Sequence, residues 1–222
     1  SDCRWAEEFS VNCSFTGVST VPEDVLRTAI TADFSYNKIK TFTCTDRRNE
    51  EWKLNHLNLS NNLISELSIA TFRNLPILET LNLNGNAIHT LTLDIPTPPH
   101  GSEEYGKGCC LLPALKVLSV ERNSLNAVPQ GLGLLQSLQT VRLSSNSIRQ
   151  IDLNDFQNCS QLKDIDLRNN KITEIHPDAF RDLNKLQVVV DLRDNALTTP
   201  LPQILISLNF FQLEVGLSNN AC

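Results

Sequence analysis

The sequence predicts an α/β solenoid, a curved horseshoe whose parallel strands line a concave sheet. Three observations lead there. A hydrophobic pattern recurs about every 24 residues, each copy holds an asparagine at the same place, and apolar positions alternate over just enough residues for one short strand per copy.

Aligned on L-x-x-L-x-L-x-x-N-x-L, the chain gives full copies in LNHLNLSNNLI from Leu54, LETLNLNGNAI from Leu78, LKVLSVERNSL from Leu115, LQTVRLSSNSI from Leu138 and LKDIDLRNNKI from Leu162. Weaker copies start at Ala29, Gln187 and Gln212, which makes about eight repeats. Successive starts lie 25, 24, 37, 23, 24, 25 and 25 residues apart, so a single interval is long, and it holds the insertion 92–112 with PTPPHGSEEYGKGCC. Alternating leucines such as Leu57 and Leu59 read as a strand with one buried face. Strands stacked in parallel, one per copy, bury a continuous core that no single copy could bury.

Asn37, Asn62, Asn86, Asn123, Asn146, Asn170, Asn195 and Asn220 sit where the chain turns out of each strand. A carboxamide both donates and accepts, so these side chains are expected to satisfy backbone groups of their own and the adjacent coil. They are read as structural. On the return path Phe72, Phe156 and Phe180 each fall 18 residues after the start of their copy, and Leu75, Cys159 and Leu183 follow three later. Cys159 therefore occupies a leucine slot and is expected to be a buried free thiol.

These copies identify the chain as resembling the leucine-rich repeat family, over nearly its whole length. The resemblance extends to the ends. CRWAEEFSVNCSFTGVSTVP looks like the cysteine-bearing N-terminal cap of extracellular members, its V-x-C and V-P matching Val11, Cys13, Val21 and Pro22. It implies a hairpin cap over residues 1–28, stapled by Cys3 and Cys13, followed by the repeats over 29–222. The family cap usually carries four cysteines, so this one is reduced. Cys222 stands where related proteins open a C-terminal cap, and its partner is expected beyond that residue.

Seven cysteines cannot all pair internally. Cys44 lies in TCTDRRNEEW of the first repeat, while Cys109 and Cys110 close the insertion. Two readings stand side by side. Either the insertion is a flap pinned to the first repeat by Cys44 with Cys109 or Cys110, or it is a surface excursion of disordered composition. A bond between neighbouring Cys109 and Cys110 is strained and ranks third. Asn12, Asn58 and Asn158 head Asn-x-Ser sequons and would accept glycans in a secreted chain. With the cap-like cysteines they favour an extracellular setting.

A net charge of −6, with no Lys/Arg run longer than a pair, argues against a nucleic-acid partner. No stretch of about 18 apolar residues is present to span a bilayer. His56, His89, His100 and His176 are scattered along the chain, and no catalytic, phosphate-binding or metal-binding spacing occurs. The sequence thus assigns no catalytic residue, cofactor or metal, and reads as no enzyme. His56 points out of its strand beside Asn58 and is expected to be a solvated histidine without partners.

The outward strand positions and the columns beside them supply the candidate partner-binding residues: Tyr36, His56, Glu121, Arg122, Arg142, Asp164, Asp166, Arg168, Asp191 and Arg193. The C-terminal half is a surface of mixed charge, which either meets a complementary partner or neutralises itself across strands. Tyr36 is the lone aromatic of the concave face, and a glycan on Asn58 would obstruct the N-terminal half.

The function expected is protein–protein recognition by an extracellular module, as the ectodomain of a single-pass membrane protein of adhesion, receptor or auxiliary-subunit type whose anchor lies beyond Cys222. A secreted matrix-binding protein and a cytosolic scaffold or inhibitor are the alternatives.

Overall fold

Each coil begins with a three-residue strand because an apolar residue between two outward ones fits a sheet with one buried face. The computed structural model describes residues 3–42, 52–72, 75–93, 112–184, 187–198, 214–216 and 220. Its strands are β1 (Arg4–Ala6), β2 (Ser10–Asn12), β3 (Thr31–Asp33), β4 (His56–Asn58), β5 (Glu66–Ser68), β6 (Thr80–Asn82), β7 (Thr90–Thr92), β8 (Val117–Ser119), β9 (Thr140–Arg142), β10 (Gln150–Ile151), β11 (Asp164–Asp166), β12 (Glu174–Ile175), β13 (Val189–Asp191) and β14 (Glu214–Gly216). A short helix α1 spans Glu23–Thr28.

Ten of these strands form one sheet in the order β1-β2-β3-β4-β6-β8-β9-β11-β13-β14. The eight strands from β3 to β14 are one per repeat. Their pairing is parallel and unshifted, so Ala32, Leu57, Leu81, Leu118, Val141, Ile165 and Val190 lie side by side. Each of these is at most 1% exposed. Leu59, Leu83, Val120, Leu143, Leu167 and Leu192 form a second fully buried row. At about 1.5–3 kcal/mol for each large aliphatic side chain, such rows supply the main stabilisation of the stack.

The asparagines do what their chemistry predicts. Asn62 Nδ2 donates to the carbonyls of Leu59 and Ser60 in its own coil and of Phe34 in the preceding one, while its Oδ1 accepts the N–H of Ile39. Asn146 and Asn170 repeat all four bonds one coil after another. The residue before each asparagine turns the chain through left-handed backbone, at Tyr36, Asn61, Gly85, Arg122, Ser145, Asn169 and Asp194, with φ between 52° and 69°. At Gly85 a Cβ would press on the end of the Asn61 side chain, which would have to shift.

The N-terminal cap departs from a simple hairpin. β1 does pair antiparallel with β2, and Cys3 and Cys13 are disulfide-bonded. But β2 also pairs in parallel with β3, placing Ser10 beside Thr31 and Val11 beside Ala32. Cys13 fills the buried slot of Phe34, and Thr16 takes the asparagine position, its Oγ1 donating to Cys13 O at 2.7 Å. The cap is thus a degenerate coil in which Val11 and the disulfide-bonded Cys13 continue the buried rows.

The convex side carries both short helical turns and short parallel ladders. Single turns of 3-10 helix occur at Ile69–Phe72 and Leu132–Leu134, but β5 also pairs with β7, and β10 with β12, as short parallel ladders. In the coil between these ladders Pro129 has no N–H to give. Inside, Phe42 stacks on Phe72 with centroids 4.9 Å apart, and Phe156 lies 5.8 Å from Phe180. Cys159 is a buried free thiol whose pKa is pushed up to about 12 by burial and, after that, by the charge of Asp182. Cys44, Cys109, Cys110 and Cys222 lie outside the described residues, as does most of the insertion.

Candidate functional site

The outward-facing side chains of the sheet are positioned by a turn that follows each strand. Where the last strand residue is Asp or Asn, its Oδ1 accepts the N–H two residues on: Asp33 from Ser35, Asn58 from Ser60, Asn82 from Asn84, Asp166 from Arg168 and Asp191 from Arg193. These Asx turns hold the side chains flat against the concave surface. β8 ends in Ser119, whose hydroxyl is turned to the coil before it and donates to Asn84 Oδ1. The neighbouring coil supplies the acceptor instead, Asn84 Oδ1 taking the Glu121 N–H at 2.7 Å and the Ser119 hydroxyl at 2.8 Å.

Seven of the ten partner-binding residues selected from the sequence converge. Glu121, Arg142, Asp164, Asp166, Arg168, Asp191 and Arg193, with Thr140, Ile165 and Val189, line an open concave depression of about 450 Å³. The charges neutralise one another mainly within a coil, whereas neutralisation across strands was one of the two readings of the sequence. Arg168 makes a two-pronged contact with Asp166, Nε at 2.9 Å and Nη2 at 2.8 Å. Arg193 does the same with Asp191, Nε to Oδ1 at 2.9 Å and Nη2 to Oδ2 at 2.6 Å. One weaker contact crosses strands, Arg168 Nε to Asp191 Oδ2 at 3.7 Å. The reason is geometric: the arginine two residues along the same extended chain reaches back over the carboxylate that already caps its own N–H.

The electrostatics follow. Burial acts to raise the Asp191 carboxyl, but hydrogen bonds from Arg193 and the charges of Arg193 and Arg168 outweigh it and hold the pKa below the ordinary value. Hydrogen bonding to Asp166, then its charge, raises Arg168, and Asp191 does the same for Arg193. Arg142 and Asp164, both exposed, form no ion pair among the described residues.

The other three partner-binding candidates lie elsewhere. Arg122 sits on the left-handed column and does not line the depression. His56 is half-buried, and its Nδ1 lies 2.7 Å from Thr80 Oγ1, so the histidine expected to lack partners is held by a neighbouring strand. Tyr36, 52% exposed, stacks on Phe15, 74% exposed, at 4.5 Å and 6°. Phe15 was missed in the sequence. Its signal was there, since CSFTGV aligns with FSYNKI once Thr16 is admitted at the asparagine position. Of the sequon asparagines, Asn12 and Asn158 are exposed and Asn58 is half-buried on the concave face. Asn12 Oδ1 accepts from Ser14, and no bond engages Nδ2 of Asn12 or Asn58 among the described residues.

The pattern that defines the family described as Leucine rich repeat matches residues 53–94, 113–172, 136–197 and 160–209. The chain is 46% identical to Leucine-rich repeat-containing protein 66 of Homo sapiens over 195 residues, 85% of this chain and 22% of that protein. It is 36% identical to Leucine-rich repeat-containing G-protein coupled receptor 5 of Rattus norvegicus over 135 residues, 56% of this chain and 15% of the receptor. Among solved structures, the TLR13–ssRNA13 complex superposes with a TM-score of 0.67 at 25% identity, covering 88% of this chain and 30% of that one. The match thus spans about a fifth of the length of the first of these curated relatives and about a seventh of the second.

Proposed function

Because the chain belongs to the leucine-rich repeat family, whose fold serves typically as a non-enzymatic protein–protein interaction module, we propose that it binds a protein partner in an extracellular setting through the C-terminal half of its concave sheet. The observation that carries the reading is the convergence of seven charged side chains on one depression, with arginines already oriented by carboxylates. Held arginines lose little conformational freedom when a partner arrives, which favours recognition over mere solvation. We read residues 1–28 as the cap and 29–222 as the repeat array. The full protein is proposed to be membrane-anchored, of adhesion, receptor or auxiliary-subunit type, as the name of the receptor relative suggests.

The Cys3–Cys13 disulfide, the exposure of Asn12 and Asn158 and the unengaged Nδ2 atoms of Asn12 and Asn58 support the extracellular setting. The solved relative is in complex with an RNA, but a net charge of −6 and two arginines committed to carboxylates weigh against an RNA ligand here. Non-reducing peptide mapping of protein made in a secretory host tests the setting. Glycans on Asn12, Asn58 or Asn158, and a link from Cys44 to Cys109 or Cys110, support it, whereas bare asparagines and free thiols at Cys3 and Cys13 overturn it. Binding to an array of cell-surface and secreted proteins tests the surface. Charge reversal at Asp164 and Arg142 is expected to abolish any true hit while leaving the melting temperature unchanged within about 2 °C.

A further inference from the structure

We propose that Arg142 and the backbone N–H of Ser144 form the receiving site for an acidic side chain of the protein partner, carried on an extended segment of the type Asp-x-Lys. The inference rests on the concave-surface reading above and deepens it.

Around the sheet, the N–H two residues beyond the strand is claimed in coil after coil. Asp33, Asn58, Asn82, Asp166 and Asp191 claim it within their own coils, and Asn84 claims it for β8 from the coil before. β9 is the exception. It ends in Arg142, which has no acceptor atom, and no group among the described residues accepts from the Ser144 N–H, although Ser144 is only 8% exposed. The same coil holds the one arginine of the depression that has no carboxylate partner among the described residues. An amide donor and an unpaired guanidinium thus stand where the next coil has Asp166, whose carboxylate takes the Arg168 N–H and the Arg168 side chain together. A carboxylate brought by a partner would reproduce that arrangement in β9.

The surroundings decide what carries it. Asp164 and Glu121, both lining the depression, repel a free anion. They favour a ligand with a cation beside its carboxylate. Asp164 pairs in register with Thr140, so it lies diagonal to Arg142, about 7–8 Å away. Side chains two apart on an extended chain are separated by about 7 Å. An acid on Arg142 and Ser144 therefore sets a lysine two residues on over Asp164.

The test is titration of the full chain with acetyl-Asp-Gly-Lys-amide, reading the Ser144 amide by nitrogen-15 NMR. A saturable downfield shift is expected, at least about tenfold weaker for acetyl-Asn-Gly-Lys-amide. No saturable shift, or equal shifts from both peptides, overturns the proposal. So does sodium sulfate matching the Asp peptide, since the site would then be a sink for any anion. Arg142→Asn supplies the missing acceptor from within. It is expected to raise the melting temperature and abolish the peptide response, so the loss cannot be misfolding. A lowered melting temperature would show that the amide was never available. Should the peptide fail while array hits still depend on the depression, only this inference falls. Should charge reversal leave array binding intact, the surface reading falls instead.

Discussion

The two halves of the concave sheet share one scaffold and present opposite surfaces. Over β3, β4 and β6 the outward residues are Thr31, His56 and Thr80 in one row and Asp33, Asn58 and Asn82 in the next, mostly neutral and hydrogen-bonded to neighbours. Over β9, β11 and β13 the same positions hold Thr140, Asp164 and Val189, then Arg142, Asp166 and Asp191, with Arg168 and Arg193 laid over the carboxylates. Because buried leucines and asparagines are alike in both halves, stability and recognition reside in different residues of the same strand. Substitutions inside should therefore affect the halves equally, and substitutions outside should not.

The largest effect is expected from the phenylalanine spine. Phe72→Ala and Phe156→Ala, one in each half and both at most 1% exposed, should each cost about 3–5 kcal/mol in chemical denaturation. A much smaller loss in one half would break the equivalence. Next come Asn62→Ala and Asn170→Ala, each stranding buried carbonyls and an N–H. About 1–3 kcal/mol is expected for each, measured the same way.

A smaller effect separates the halves. The Asp191 pKa is depressed in the folded state, so its contribution is present above the unfolded value near 3.8 and fades as pH falls through the lower folded value. Asp191→Asn should cost under about 1 kcal/mol at pH 7, since the partner arginines are partly exposed, and should flatten the loss of stability below pH 4 in thermal melts. An unaltered acid limb would mean that the Arg193 pair adds nothing. The smallest change belongs to the N-terminal half, where Thr80→Val removes the His56 contact and should shift stability by no more than about 0.5 kcal/mol.

The eight strands and the asparagine bonds were legible because repetition multiplies a weak local signal. The cap strand was not, because Cys13 and Thr16 replace leucine and asparagine, and a single copy has nothing to average against. The convex ladders escaped for a related reason. Glu66–Ser68 and Gln150–Ile151 are too short to carry periodicity, and parallel pairing joins residues about 24 apart. Which residues would line one surface was readable from alternation. That Asp166 would hold Arg168, two residues along the same chain, was not, because strand register says which side chains are neighbours and nothing of where a flexible guanidinium comes to rest.

The bond from Asn84 to the Glu121 amide, and the fit of Asn61 over Gly85, have a bearing on how such a chain can change. Each places one coil's requirement in the sequence of another. Excising the segment from Leu78 to Pro113 would set Asn61 against Arg122 and leave the Glu121 N–H without the acceptor that Asn84 Oδ1 supplies. Losing or duplicating a single unit at this junction therefore removes contacts that another coil supplies, and substitutions in the flanking coil have to accompany the change.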